Sequence, residues 1–527
     1  MASQKPPAAQ RLTRRSMLQA GGAATATGLL GLTPAAAAAT TGMPVRGGGP
    51  EVYSRLGVEP FINCTSTYTI NGGSRQLPEV IEAIEQAGHY HVNLDELMAK
   101  AGARIAELLG AESAMVSSGA AGSVTCGTIA CVAGGDPEKM KQLPNTAGLK
   151  NECIVPKWSR SYYDQAVRNV GVRMIEVETA EDLAAAFSPR TALAHAQVNV
   201  ADSGNPFSLR QYVQACHAHG VPVLIDAAAD LPLRPNPFLE AGVDLVAYSG
   251  GKILRGPQTS GILMGRRDLI AAAYAGSSPH ITFGRTIKVS KEEVVGLVTA
   301  VEYLVQKRDR DAEDREWTSW FEHIKARIEQ VPGVKAEITP PDRPAYYPVL
   351  FVEWDPAKIG YSNAELGREM LAGSPRIMTH AEGEGHRFVL RPAAMYPGEY
   401  KIVAERLYEV LKNAPGPKPE PKRRPAGVDV SGHWVAELEF VASRTQMRLY
   451  LDADGNEISG SYSSPLVPHG TLRGHVDGDR VAFQIRGRYE ATDFDYKFEG
   501  AATQNELGGI VELGWEYGQA KWSARRA

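Results

Sequence analysis

The chain has 527 residues, 43% hydrophobic and 22% charged, an ordinary globular composition in a chain too long for one core, so at least two domains are expected. Its formal net charge is −4 and no long basic run follows the amino-terminal segment; a nucleic-acid partner needs concentrated positive surface, so none is expected. Five cysteines (Cys64, Cys126, Cys131, Cys153 and Cys216), odd in number and without CxxC spacing, exclude a disulfide framework and a zinc site and read as small buried hydrophobes.

Residues 11–19 read Arg-Leu-Thr-Arg-Arg-Ser-Met-Leu-Gln, followed by a weakly apolar stretch at 20–32 and by alanines at 35–39. Basic flank, apolar centre and small-residue exit are the layout of an export signal. Arg14-Arg15 before Ser-Met-Leu resembles a twin-arginine signal. Residues 1–39 are therefore expected to engage the Tat export machinery and to deliver a periplasmic or secreted protein. The stretch is rich in Gly and Ala and shorter than the roughly 20 strongly apolar residues that span a bilayer, so no permanent membrane anchor is expected.

A Gly-rich linker at 40–50 precedes an alternating helix–strand region. Helical spacing marks 77–87 and 94–109, and short apolar, β-branched runs at 113–116, 153–156, 191–200, 221–225 and 243–248 read as buried strands. The alternation predicts a mostly parallel sheet covered by helices, a large domain over 51–315 that closes with a long helix at 291–306. A smaller α/β unit is expected at 316–412, with strands at 347–353 and 387–390 and a last helix at 401–412. The Pro-rich stretch 413–426 is a linker. From 427 to 527 the texture changes to short alternating strands at 434–440, 447–451, 460–463, 481–485, 496–499 and 510–513, with turn residues near Asp454-Gly455 and Asp477-Gly478. That pattern predicts a small β-barrel or sandwich, read as a packing, binding or oligomerisation module.

Three segments carry chemistry. Ser117-Ser118-Gly119-Ala120-Ala121-Gly122-Ser123 follows a short strand and opens a helix, and N–H groups at a helix N-terminus beside a hydroxyl make an anion cradle. Asp226 ends the buried run Val-Pro-Val-Leu-Ile-Asp, at the strand edge where open α/β sheets bind ligands. Lys252 follows one further strand in Tyr248-Ser-Gly-Gly-Lys-Ile-Leu-Arg255, where two glycines allow close backbone approach. A lysine amine, a carboxylate for a pyridine nitrogen and a phosphate cradle are what a pyridoxal-phosphate enzyme requires.

Asp-Ala-Ala-Ala at 226–229, Ser-Gly-Gly-Lys-x-Leu-Arg-Gly-Pro-Gln at 249–258, the Ser-Gly-Ala-Ala loop at 118–121, Lys-Asn-Glu-Cys-Ile-Val at 150–155 and Gly-Arg-Thr-Ile-Lys-Val-Ser-Lys-Glu-Glu at 284–293 together resemble the SelA-like branch of fold-type-I pyridoxal-phosphate enzymes. That branch includes seryl-tRNA(Sec) selenium transferases and ammonia-lyases of the D-glucosaminate-6-phosphate type. The resemblance covers about 51–412. It implies Lys252 as the Schiff-base lysine, Asp226 as the partner of the pyridine nitrogen, and Ser118, Gly119, Ala120 and Ser249 around the cofactor. Arg160 lies where lyase-like members carry Gly-His-Arg, but Trp158-Ser159 stands here in place of Gly-His. Arg255, Arg285 and Lys288 are candidates for anion binding, and Arg391, after the strand at 388–390, for a substrate carboxylate. His195 and Gln197, on the strand before Asp226, either face the ring or serve the core.

The branch shares elimination of a β-substituent, which releases a keto acid and ammonia. Export removes a tRNA substrate, so the expected activity is an exported lyase for a small amino acid or amino-sugar acid, working as a homodimer or higher homo-oligomer. Other chemistry with the same cofactor (selenium transfer, transamination, aldol-type cleavage or racemisation) and a non-catalytic binding role on the same scaffold are the alternatives.

Overall fold

Residues that alternate Val, Ile, Leu and Ala in short runs are stable as strands only when both faces are covered, and the large sheet obeys this. The computed structural model describes residues 49–202, 204–341, 346–380, 385–419, 422–514 and 516–527, with side chains from residue 52 onward. The expected signal peptide at 1–39 and most of the linker at 40–50 lie outside them. Within the amino-terminal unit, which ends at Pro60, Gly49–Ser54 is a short helix.

In the second unit β1 (Phe61–Asn63) comes first. Then β2 (Ser113–Ser117), β3 (Glu152–Pro156), β4 (Arg173–Val177), β5 (Thr191–Gln197), β6 (Val223–Asp226), β7 (Leu245–Ser249) and β8 (Gly261–Gly265) form a seven-stranded sheet in the order β2-β8-β7-β6-β5-β3-β4. Only β8 runs antiparallel to its neighbours β2 and β7; the other pairings are parallel. Successive residues alternate between two cores. Val223 and Ile225 of β6 and Val246 and Tyr248 of β7 face helices Pro78–Gly88, Leu94–Leu109 and Lys291–Gln306. Leu224, Leu245 and Ala247 face helix Gly119–Ala133. That helix is built mostly of Gly, Ala, Ser, Thr and Cys, with Val124, Ile129 and Val132 as its only larger side chains, and can lie close: a Cβ on Gly127 would stand 3.2 Å from Leu224.

The smaller unit holds an antiparallel sheet of β9 (Val334–Thr339), β10 (Val349–Trp354) and β12 (Arg387–Leu390), while β11 (Arg376–Met378) pairs in parallel with β1. This corrects the expected boundary between 51–315 and 316–412. Helix Arg310–Ile328 starts before residue 316 and carries Trp317, Trp320 and Phe321 into this core, which also takes Ile62 and Cys64 from the start of the large domain. Pairing of β1 with a strand more than three hundred residues away leaves no local trace in sequence.

The carboxyl-terminal module is a closed barrel of β13 (Gly432–Glu439), β14 (Arg444–Asp454), β15 (Glu457–Ser463), β16 (Gly470–Asp477), β17 (Arg480–Tyr489), β18 (Thr492–Ala502), β19 (Glu506–Glu512) and β20 (Gln519–Arg526). Each strand pairs with the next, and β13 closes on β20 with Trp434 opposite Arg526. Strands β16 and β20 are additional to the six read from sequence, because their inward positions are separated by Thr, Arg, Gly and Lys. Eight strands enclose a space that side chains can fill: Trp434, Phe483, Phe498 and Trp522 are buried there, and the rings of Phe483 and Phe498 stack at 4.7 Å. All five cysteines are free; four are buried and Cys131, in the last turn of helix Gly119–Ala133, is half-buried. Among the described residues no helix is long and apolar enough to cross a membrane.

Candidate active site

Asp226 is the last residue of β6 and lies opposite Ala247 of β7. It is 9% exposed, and its Oδ1 accepts the Ala228 N–H at 2.9 Å. Strand β7 ends at Ser249, and the chain then folds into a tight loop in which Gly250 N donates to Ser260 O and Gly256 N to Gly250 O, each at 2.8 Å. A Cβ on Gly250 would stand 2.0 Å from Ser260 Oγ, and one on Gly251 2.5 Å from Gln258 Cα. The loop closes only with glycine at both places, and it delivers Lys252 to the sheet edge that carries Asp226. Burial lowers the Lys252 pKa below its ordinary value, and the Asp226 charge opposes this only in part. A depressed amine is the form useful as a nucleophile and base.

The cradle stands beside them. Helix Gly119–Ala133 begins after Ser118 with no side-chain cap, so the N–H groups of its first turn are free for an anion. Gly261 of β8 lies between Ser117 and Ser249 in register. A Cβ there would stand 2.3 Å from the Gly119 carbonyl, so its absence lets the strand touch the helix start. Ser117 and Ser123 hydroxyls share a hydrogen bond of 2.6 Å beneath the turn. Arg285 and Lys288 are exposed on the segment that leads past the same turn; Ile287 between them would meet a Cβ on Gly122 at 2.8 Å. An uncapped helix start, a carboxylate and a depressed amine at one edge fit pyridoxal phosphate: Ser118, Gly119 and Ala120 would hold its phosphate, Asp226 its ring nitrogen and Lys252 its carbonyl carbon.

Sequence reasoning missed Tyr163. Its ring centroid lies 5.8 Å from Lys252 Nζ. Burial, Tyr162 and the Asp226 charge push its phenol up to about 12, so it is a neutral hydroxyl at physiological pH. It supplies an aromatic face a few residues beyond Trp158-Ser159, where the resemblance to lyase-like enzymes implied Gly-His. The only sequence signal is its nearness to that altered motif, because the 3-10 turn Tyr162–Asp164 that presents it is short. Gln197, opposite Asp226, anchors the same turn through its backbone N–H to Ser159 Oγ (2.7 Å) and its amide to Ser161 Oγ (2.5 Å). His195 is 1% exposed and its Nδ1 is paired with Leu224 O at 3.1 Å, a core role.

Two expectations need correction. Arg160 is not free for substrate: its side chain is 2% exposed, and Asp164, Glu176 and Glu490 hold three of its nitrogens at 2.5, 2.5 and 2.6 Å. One of those carboxylates comes from the barrel, which no local motif reveals. Arg255 is also committed. It sits at φ +62°, donates from Nε to Arg75 O at 3.0 Å and pairs with Glu313, which also binds Arg308. Burial and the Arg75 charge lower its pKa to about 10. Its guanidinium braces the loop behind Lys252.

Arg391 keeps its place as a candidate for a substrate carboxylate. It follows β12 and bridges Thr65, with its N–H donated to Cys64 O at 2.9 Å. Its Nη1 is buried without a hydrogen-bond partner, beside Tyr347, whose hydroxyl pairs with Ser66 at 2.9 Å. A buried donor left unpaired costs about 1–3 kcal/mol, which an anionic ligand would recover. Tyr68, two residues beyond Ser66, is in electrostatic reach of Tyr163, so this wall continues to the Lys252 side.

Comparison with known proteins places this geometry in context. The family described as aminotransferase class-V matches residues 81–374. A 5'-C-glycyluridine monooxygenase-decarboxylase from Streptomyces sp is 35% identical over 382 residues, 68% of this chain and 92% of that protein. A D-glucosaminate-6-phosphate ammonia lyase from Salmonella typhimurium is 27% identical over 377 residues, 69% of this chain and 99% of that protein. A solved structure of D-glucosaminate-6-phosphate ammonia-lyase superposes with a TM-score of 0.61 at 27% identity, covering 69% of this chain and 99% of the other.

Proposed function

The chain belongs to the aminotransferase class-V family and works with pyridoxal 5'-phosphate in lyase or transferase chemistry; from that premise we propose that it is an exported lyase that eliminates a β-substituent, expelled with a proton, from a small amino acid or amino-sugar acid, after which water hydrolyses the resulting imine to a keto acid and ammonia. The observation that carries this reading is the buried, pKa-depressed Lys252 amine at the same strand edge as Asp226. When bound, the cofactor draws electron density from the α-carbon of the substrate. Lys252 anchors it, then takes the α-proton and, once charged, returns a proton to the leaving group. Asp226 holds a proton on the ring nitrogen. The helix-start N–H groups fix the phosphate, with Arg285 and Lys288 adding positive charge nearby. Arg391 orients the substrate carboxylate, and Tyr163, 48% exposed, sets its ring 5.8 Å from Lys252 Nζ at the open side of the site.

The 27% identity to an ammonia lyase supports elimination. Residues 1–39 support export, and phosphorylated substrates are scarce outside the cytoplasm, so an unphosphorylated substrate is proposed. The active unit is proposed to be a homodimer or higher homo-oligomer. Replacing both Arg14 and Arg15 with lysine should leave the protein in the cytoplasmic fraction on cell fractionation; continued export would refute the signal. A second reading, oxidative decarboxylation, is favoured by the 35% identity to a monooxygenase-decarboxylase. Incubating the purified protein with a panel of amino acids and amino-sugar acids separates the two. Elimination gives equal ammonia and keto acid without oxygen uptake, whereas the second reading needs oxygen consumption and carbon dioxide.

Arg391→Gln should raise KM for the substrate by roughly 10–100-fold with a smaller change in kcat, the worth of about 1.5–3 kcal/mol for a hydrogen bond to a charged group. An unchanged KM in steady-state kinetics would remove Arg391 from the substrate site.

A further inference from the structure

Strands β17 and β18 pair up to Tyr489 opposite Thr492, leaving Glu490-Ala491 as a two-residue turn. Glu490 sits at φ +53°, a left-handed conformation that such turns normally assign to Gly, Asn or Asp. A glutamate held there needs a compensating contact, and its carboxylate has one. It accepts from Arg160 Nη2 at 2.6 Å and lies 3.9 Å from Arg168, whose guanidinium also covers the Tyr489 ring at 5.4 Å. Burial opposes the Arg160 charge, yet the bonds to Glu490 and Asp164 hold its pKa above the ordinary value. Asp164 is shared: the same Oδ2 takes Arg160 Nε and the Ser161 N–H that opens the turn carrying Tyr163. Contacts therefore run without a gap from the barrel hairpin through Arg160 and Asp164 to the ring beside Lys252.

We propose that Glu490 is a positioning residue for the active-site turn Tyr162–Asp164, so that the barrel is a working part of the catalytic unit and not a tethered accessory. The proposal rests on the pyridoxal-phosphate site assigned above. Removing the Glu490 carboxylate leaves Arg160 Nη2 buried without its partner; Arg160 then re-pairs or draws water, and the turn loses the geometry that sets Tyr163 against Lys252.

The test uses the full chain loaded with pyridoxal phosphate. Glu490→Gly relaxes the turn and removes the carboxylate, Glu490→Gln keeps the shape without the charge, and Tyr163→Ala removes the ring being positioned. Three quantities are read: the pH midpoint of the visible cofactor band, the rate of cofactor dissociation, and the thermal midpoint. In Glu490→Gly the pH midpoint should move in the direction seen for Tyr163→Ala and the cofactor should leave about tenfold faster, since misplacements near 1 Å have effects of up to about 100-fold. Glu490→Gln should fall between, and Glu490→Gly with Tyr163→Ala should do little more than either alone, the mark of coupled residues. A folded Glu490→Gly protein with wild-type band, midpoint and dissociation rate overturns the proposal; if that variant does not fold, Glu490→Gln decides in the same way. A wild-type protein that forms no band with pyridoxal phosphate overturns the cofactor reading itself, and this proposal with it.

Discussion

Lys252→Ala should abolish the visible, borohydride-sensitive band of the cofactor and lower turnover by at least about 1,000-fold, because in the proposed mechanism one side chain serves both as covalent anchor and as general acid and base, and the second role alone is worth roughly 100–10,000-fold. Spectroscopy of the reconstituted protein and a single-turnover assay measure the two effects separately. Retention of both band and turnover would displace the lysine from the mechanism. A control for folding comes from the cofactor-free protein. Burial holds the Lys252 pKa below its ordinary value of 10.5, so between the folded and unfolded values the unfolded chain binds more protons. Stability therefore rises with pH through that window, and at lower pH the native state carries the full cost of a buried ammonium. Lys252→Met removes the charge and keeps most of the packing. Its apo-protein should melt no lower than wild type at neutral pH and should lose the rise in stability towards pH 10.5.

The placement of Lys252 and Asp226 at one sheet edge was legible because a parallel sheet writes its strand ends into local sequence. A buried apolar run ends on Asp226 in one strand, and in the next it is followed three residues later by Lys252. The same is true of the helix start at Gly119, where small residues follow a strand. Arg160 and Arg255 were misread because a cation in a motif looks the same whether it meets a ligand or a carboxylate brought from elsewhere. Glu490 lies 330 residues from Arg160, and Glu313 lies 58 from Arg255. Tyr163 escaped notice for a related reason: one 3-10 turn decides which of two adjacent tyrosines turns to the lysine, and that turn depends on Ser161, Asp164 and Gln197 together. The barrel was legible as texture, from turn residues and alternation, but its closure depends on β13 meeting β20 across nearly the whole module. Local rules of spacing and burial locate strand ends well and long-range partners poorly.

Asp226→Asn tests the second half of the site with little disturbance to the fold. The Oδ1 that accepts the Ala228 N–H at 2.9 Å survives as the amide oxygen, so the turn after β6 keeps its cap and only the charge is lost. Two consequences separate this variant from Lys252→Ala. Without a carboxylate the ring nitrogen is no longer held protonated, and turnover should fall by roughly 100–1,000-fold, the range seen when one electrostatic partner of a developing charge is removed. The visible band should remain, since the lysine is intact. The Asp226 charge is also what partly offsets burial at Lys252. Its loss should push the amine pKa down further, so the lysine of the cofactor-free protein should react with an amine-specific reagent at lower pH than in wild type. A reactivity profile that stays in place, or moves to higher pH, would mean that the carboxylate does not act on the amine and that the two strand ends do not form one site.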